Sequence, residues 1–120
     1  MGGGAPGIGL AAMTSDYRIA FTAISGGSIP PDAAARLQAA LAGMPGASGV
    51  AEATQDRRRR LVTATFWIEV RLGMADAARD GSRLAKEALK VAGMGEAQLT
   101  ELSVRMEDRP AGLDGVRPAA

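Results

Sequence analysis

Hydrophobic and polar residues alternate one by one in the first part of the chain, from residue 17 to residue 24. The apolar positions of this stretch share one side of an extended chain: Tyr17, Ile19, Phe21 and Ala23. Such a period of two is typical of a strand that buries one face. After a Ser-Gly-Gly turn the period becomes helical, with apolar residues at Ala34, Leu37, Leu41 and Met44. The pattern therefore predicts a strand followed by a helix, which Gly43 and residues 45–46 end.

The remaining pattern predicts a hairpin, a second helix and a final strand. Residues 48–56 and 61–72 are two short runs, the second rich in β-branched and aromatic residues, and they predict a hairpin that turns near residues 55–59. From residue 73 an apolar stripe recurs at helical spacing up to Ala92, and Gly93 and Gly95 end it. Residues 99–107 alternate again, which predicts the last strand.

The predicted order is strand, helix, strand, strand, helix, strand. This order is typical of an α+β fold of the ferredoxin-like kind, βαββαβ, in which a four-stranded antiparallel sheet carries both helices on one face. A four-stranded sheet with two helices in a rearranged order is the alternative. The two ends of the chain are rich in Gly and Pro and predict flexible tails at residues 1–15 and 109–120. Residues 16–108 then form a single domain.

Two helices cover only one face of such a sheet, which leaves the other face to solvent, a ligand or a second protein. Alternation directs ten residues toward the helices: Ile19, Phe21, Ala23, Val62, Ala64, Phe66, Ile68, Leu102, Val104 and Met106. The opposite side carries the predicted interface or ligand face: Trp67, Thr63, Thr65, Arg105 and Arg18.

Trp67 is the only tryptophan of the chain. It is the predicted anchor of the open face, because an indole joins a large apolar area to an N–H donor. Two other interpretations stay open: the ring lies flat on its own sheet, or a shift of one residue in the register places it in the core.

The composition excludes several kinds of chemistry. The chain has 120 residues and contains no Cys and no His, so it lacks thiol nucleophiles, imidazole catalysts, disulfides and the usual ligands of zinc and haem. We therefore predict no metal site, no cofactor and no catalytic residues. An enzyme of this composition would depend on Asp, Glu, Lys and Tyr, and Tyr17 and Glu69 would be its first candidates.

Four consecutive arginines form the strongest charge feature, a basic tip on the predicted hairpin: Arg57, Arg58, Arg59 and Arg60. A basic tip can hold phosphates or an acidic partner, and it can equally be a solvated turn that keeps strand edges apart. The net charge of +1 is small for a nucleic-acid-binding protein. The third predicted strand also lacks the glycine and the first aromatic position of the RNA-recognition fold. Nucleic acid is therefore the less favoured partner.

These features predict a non-enzymatic interaction or regulatory module that self-associates, as a homodimer or larger assembly, through the open sheet face or an edge strand. A groove for a small ligand at the interface extends this hypothesis. Binding of nucleic acid or an acidic partner through the arginine tip is the alternative, and a small enzyme is the second alternative.

Localisation is inferred from the absence of targeting signals. No stretch reaches the roughly 20 apolar residues of a membrane span, and the first residues lack the basic charge of a secretory signal. We therefore expect a cytoplasmic protein with no membrane partner. The excess of arginine over lysine, 12 to 2, is typical of a GC-rich bacterial genome.

Overall fold

The computed structural model describes residues 14–71 and 73–110 of the chain. Its elements are β1 (Ser15–Ile24), α1 (Ala33–Ala42), β2 (Ser48–Asp56), β3 (Leu61–Val70), α2 (Met74–Val91) and β4 (Gln98–Met106). The strands pair antiparallel, and the helices pack against them. The predicted mixed α+β class is therefore confirmed.

The described strands pair in the order β2-β3-β1-β4. Strand β1 lies in the interior of the sheet, between β3 and β4, and β2 pairs with the far side of β3. In the described part of the chain, β2 and β4 are therefore the edges of the sheet.

The first helix is held to strand β2 at its amino end. Asp32 precedes the helix, and its carboxylate pairs with Nε of Arg36 at 3.0 Å but caps no backbone N–H group of the first turn. Gln55 of β2 caps the helix instead, because its Oε1 accepts the backbone N–H of Ala34 at 2.7 Å. The Nε2 of Gln55 donates to the carbonyl oxygen of Pro31 at 2.9 Å. One strand side chain thereby satisfies a backbone donor that the first helical turn leaves free.

The core lies between the helices and one face of the sheet. The predicted helix-facing residues of β1 and β3 are all buried, and the rings of Phe21 and Phe66 meet edge to face at 6.2 Å. Gly81 lets α2 approach β1 closely, since a Cβ there would stand only 2.8 Å from Cδ1 of Ile19. Glycine inside a helix costs about 0.5–1 kcal/mol relative to alanine. At residue 81 this cost is offset by the tight packing of α2 against β1 that the missing side chain permits.

Strand β4 is less buried than the sequence pattern predicts. Leu102 and Val104 are only half-buried, and Met106 is 62% exposed. Met106 lies on the predicted helix side, opposite the buried Tyr17, but it is not buried, because β4 is an edge strand and Met106 lies at its end. A bulge in the pairing with β1, between Thr22 and Ala23, also brings Leu99 to the core side.

The described fold extends slightly beyond the predicted domain. Strand β1 begins at Ser15, within the predicted first tail, and Arg109 contacts the sheet although the second tail was expected to start there. The rest of the predicted tails, residues 1–13 and 111–120, lies outside the described residues. Neither described helix is long and apolar enough to cross a membrane.

Candidate functional site

The sheet register brings four polar or aromatic residues into one row across the described strands. Trp67 on β3 lies opposite Ser48 on β2 and Arg18 on β1, and Arg18 lies opposite Arg105 on β4. The row is on the face away from the helices, because Phe66, the residue before Trp67, enters the core. Trp67 thus lies on this face, and its role in an interface or ligand site stays a prediction.

Trp67 is not exposed on the open face, contrary to the expectation that it is free to meet a partner. Only 3% of its surface is accessible, although it is not a member of the core cluster. Gly49 of β2 lies beside the indole: a Cβ at this position would stand 3.4 Å from Cε3 of Trp67 and 2.7 Å from Cγ of Arg109. The ring is therefore covered on its β2 side by Gly49 and by the side chain of Arg109.

The chain that follows β4 forms a strap (residues 107–110) across the end of the sheet. The backbone N–H groups of Glu107 and Arg109 donate to the carbonyl oxygen and to Oδ2 of Asp16, at 3.1 and 3.0 Å. Arg109 then reaches β2, where its Nη1 donates to Oγ of Ser48 at 3.0 Å. Sequence reasoning missed the strap, because residues 107–110 are four polar or Pro residues with no periodic signal and adjoin the Pro- and Gly-rich stretch that was expected to be a tail.

The indole N–H of Trp67 is buried without a hydrogen-bond partner among the described residues. A buried donor without an acceptor costs about 1–3 kcal/mol. A Cβ at Gly49 would stand close to Cε3 of the ring, on the β2 side of Trp67. On the other side of Trp67 in the sheet lies its cross-strand neighbour on β1, Arg18.

Two arginines stand side by side in the row beyond Trp67, toward the β4 edge. Arg18 and Arg105 are direct cross-strand neighbours, and like charges in such pairs are destabilising. Arg105 donates to Glu107 at 3.3 Å, whereas Arg18 has no carboxylate partner in the described part of the chain. The nearby acids are engaged elsewhere: Asp16 accepts from the strap, and Glu69 accepts from Thr14 at 2.6 Å.

Threonines form the central part of the open face. Thr63 is hydrogen-bonded to Thr54 through the side-chain hydroxyls, and Thr65 lies between Glu52 and Ala20. This part of the face is flat and polar. It offers no large apolar side chain between residues 63 and 65 that could anchor a partner.

The two described edges of the sheet differ in how they are covered. On β2, the outward backbone N–H of Ala53 donates to Oε1 of Gln38 on α1 at 3.3 Å. On β4, the backbone N–H of Glu107 donates to the carbonyl oxygen of Asp16 on β1. In an antiparallel pair every second residue bonds the neighbouring strand, so Glu101, Ser103 and Arg105 bond β1 as well. The backbone groups of the residues between them point away from β1. The outward backbone groups are those of Leu102, Val104 and Met106. No described strand or helix side chain bonds them.

A groove of about 1250 Å³ runs between α2 and β4. Its helix side carries four basic residues at a helical spacing: Arg79, Arg83, Lys86 and Lys90. Arg79 is hydrogen-bonded to Asp76, which raises the pKa of Arg79 further above its usual value. The other three have no acidic partner among the described residues. The wall of the groove beside the β4 edge is thus positively charged.

The basic tip closes the β2–β3 hairpin as predicted. Arg60 has a φ of +60° and its carbonyl oxygen accepts the N–H of Ser25 at 2.9 Å, which anchors the tip to the end of β1. Asp56 holds the backbone N–H of Arg59 at 3.1 Å and its Nε at 3.9 Å. Arg57 and Arg58 are exposed and have no acidic partner in the described part of the chain.

The two candidate acid–base residues are not brought together. Tyr17 is buried in the core on the helix side of β1, while Glu69 is exposed on the open face. The sheet therefore separates them, and they do not form a joint site.

Comparison with family models, curated proteins and solved structures gave no match. The functional argument therefore depends on the geometry of the described residues.

Proposed function

We propose that the protein is a non-enzymatic interaction module of ferredoxin-like architecture that forms a homodimer through the outer edge of β4. The element order βαββαβ and the strand order β2-β3-β1-β4 support the architecture. The outer edge of β4, which no described residue covers, is the observation that carries the mode of association. An unpaired strand edge is a template for pairing with a second chain.

The β4 sequence is complementary to itself when two copies pair antiparallel about a two-fold axis at Ser103. In this register Leu102 of each copy lies opposite Val104 of the other, and both residues present outward backbone groups. Glu101 of each copy then lies opposite Arg105 of the other. These opposite charges meet in non-hydrogen-bonded pairs, where antiparallel side chains are closest.

The neighbouring symmetric registers lack this complementarity. An axis at Leu102 places Glu101 opposite Ser103 and forms no charge pair. An axis at Val104 places Glu101 opposite Glu107, which brings like charges together. Charge complementarity therefore favours the axis at Ser103.

The same register brings the exposed side chain of Met106 against the second copy. Met106 lies on the helix side of β4 and is 62% exposed in the single chain. With the axis at Ser103 it lies opposite Thr100 of the second copy, next to the half-buried Leu99 and Leu102 of that copy. The basic groove borders the seam, which supports the extension of the proposal to a small ligand bound at the interface.

The open face supports self-association less well. Trp67, the expected anchor of that face, is covered by Gly49 and Arg109, and the threonines around residues 63–65 are polar. The edge of β4 is therefore favoured over the open face.

Solution mass tests the proposal, measured by light scattering coupled to size-exclusion chromatography over a range of concentrations. Ser103→Lys places two ammonium groups against each other at the proposed axis, and Ser103 is exposed, so the change leaves the core intact. We expect a dimer for the unmodified chain and a monomer for Ser103→Lys. Ala35→Lys adds the same charge on the exposed side of α1 and should stay dimeric. A monomeric unmodified chain, or a dimer that tolerates Ser103→Lys, would contradict the proposal.

Binding of an acidic partner through the basic tip is the second candidate. It is supported by the anchoring of the tip at Ser25 and by the exposed side chains of Arg57 and Arg58, for which the described residues supply no acidic partner. The probe is a single-stranded oligonucleotide in a fluorescence-anisotropy titration. Binding that weakens steeply with salt and is lost in the Arg57→Gln/Arg58→Gln variant would support this function. Equal binding by the variant would overturn it.

A further inference from the structure

We propose that Trp67 and Arg18 form a binding site for the oxyanion of a small ligand, a carboxylate or a phosphate group, at the end of the open face. This site shares only Arg105 with the dimer seam of the proposed function. It is built from the buried indole N–H of Trp67 and the guanidinium of Arg18, with the charge of Arg105 beside them.

The first observation is the unsatisfied donor. Trp67 is 3% exposed, and its Nε1 has no hydrogen-bond partner among the described residues. Buried polar groups are hydrogen-bonded in the great majority of cases, so each exception calls for an explanation. An acceptor supplied by a ligand satisfies this donor.

The second observation is the charge beside it. Arg18 lies directly opposite Trp67 on β1 and has no carboxylate partner in the described part of the chain. Its other neighbour is Arg105, a second cation. An anion between the indole and Arg18 would relieve this repulsion as well as accept two hydrogen bonds.

The acids close to the site do not take the place of that ligand. Asp16 is held by the backbone N–H of Arg109, Glu69 by Thr14 and Glu107 by Arg105. Each carboxylate therefore has a partner on another side. A guanidinium and a neutral N–H together match the oxygens of a carboxylate or a phosphate, which accept several donors at once.

The shape of the site limits the ligand to a small group or to the end of a larger one. The strap and Gly49 close the β2 side of the ring, where Arg109 donates to Ser48. In the proposed site the anion enters from the β1 side, where the half-buried Arg18 would have to move to admit it and would then bind it.

Tryptophan fluorescence tests the site directly, because Trp67 is the only tryptophan in the chain. The protein is titrated with inorganic phosphate and, separately, with acetate, at an ionic strength held constant with sodium chloride. We expect a saturable change in emission, together with a shift of the single indole N–H resonance in the ¹H–¹⁵N spectrum. Saturation by phosphate alone assigns a phosphate group, and saturation by acetate assigns a carboxylate.

Matched variants separate specific binding from a general effect of charge. Arg18→Gln should weaken binding by about tenfold or more, as expected for the loss of a charge-assisted hydrogen bond. Arg105→Gln should weaken it less, since Arg105 already has Glu107 as a partner. Arg36→Gln removes the same charge from the exposed side of α1, on the other face of the sheet, and should leave binding unchanged.

The proposal would be overturned by the absence of a saturable response to both anions. A response of equal affinity in Arg18→Gln would overturn it as well. The titration is repeated on Ser103→Lys, in which the proposed dimer is disrupted. If that variant binds the anion, the anion site does not require the dimer. Failure of the dimer proposal is then distinguished from failure of the anion site.

Discussion

Arg109 lies across Gly49, and its side chain occupies the space that a Cβ at residue 49 would need, with Cγ only 2.7 Å from that position. The two residues are far apart in sequence, on strand β2 and on the strap after β4. Their contact covers the indole of Trp67 and joins the last described residues to the first edge of the sheet. The burial of Trp67 therefore depends on a glycine without a side chain.

Gly49→Ala tests this dependence. Gly49 has a φ of +54°, where residues other than glycine are strained, and the new methyl group would displace Arg109. We expect a loss of about 1–2 kcal/mol in the free energy of unfolding, measured with urea. The emission of Trp67 should also shift to longer wavelength, because the ring becomes accessible to water.

Gly26→Ala is the matched control for this change. Gly26 has nothing within 4 Å of the position of a Cβ. The free energy of unfolding of Gly26→Ala should therefore stay within about 0.5 kcal/mol of that of the unmodified chain. An unchanged emission spectrum in Gly49→Ala would show that Arg109 does not determine the burial of the indole.

Gly81→Ala tests the close approach of α2 to β1. Alanine has the higher helix propensity, yet the new Cβ would stand 2.8 Å from Cδ1 of Ile19, so the substitution should destabilise the fold by about 1–3 kcal/mol. Ile19→Val removes Cδ1, and in the double variant it should offset part of that loss. The coupling is measured by a double-mutant cycle in urea. Strictly additive losses would contradict the proposed steric contact.

A charge reversal tests the register of the proposed dimer. Glu101→Arg and Arg105→Glu each bring like charges together across the seam, so each should raise the dimer dissociation constant by about threefold or more. The double variant restores opposite charges and should recover most of the affinity. Sedimentation velocity at several concentrations measures all four proteins. A double variant weaker than either single variant would exclude the axis at Ser103.

Much of the fold follows from short-range pattern. The period of two in β1 and β3, and the helical stripe of α2, lead directly to the buried residues around Phe21, Phe66 and Leu84. Such patterns are readable because each element buries one face and leaves the other in water. At β4 the pattern gave the wrong burial, since Met106 is exposed, and it did not predict the bulge that changes the side that Leu99 faces.

The candidate site was only partly predictable. Alternation placed Trp67, Arg18 and Arg105 on one face, because the side-chain period of a strand fixes the face of each residue. It could not show that Arg18 is the cross-strand neighbour of both, since register between distant strands depends on the whole sheet. Nor could it find the strap, because the contacts of Arg109 with Asp16 and Ser48 join residues distant in sequence without any periodic signal.

Amide hydrogen exchange at β4 tests the central claim most directly. The backbone N–H groups of Leu102 and Val104 point away from β1, whereas that of Ser103 faces Ala20 and serves as an internal control. In the proposed dimer, the amides of Leu102 and Val104 become protected as the protein concentration rises, while Ser103 is protected throughout. Fast exchange of Leu102 and Val104 at every concentration would contradict pairing through β4.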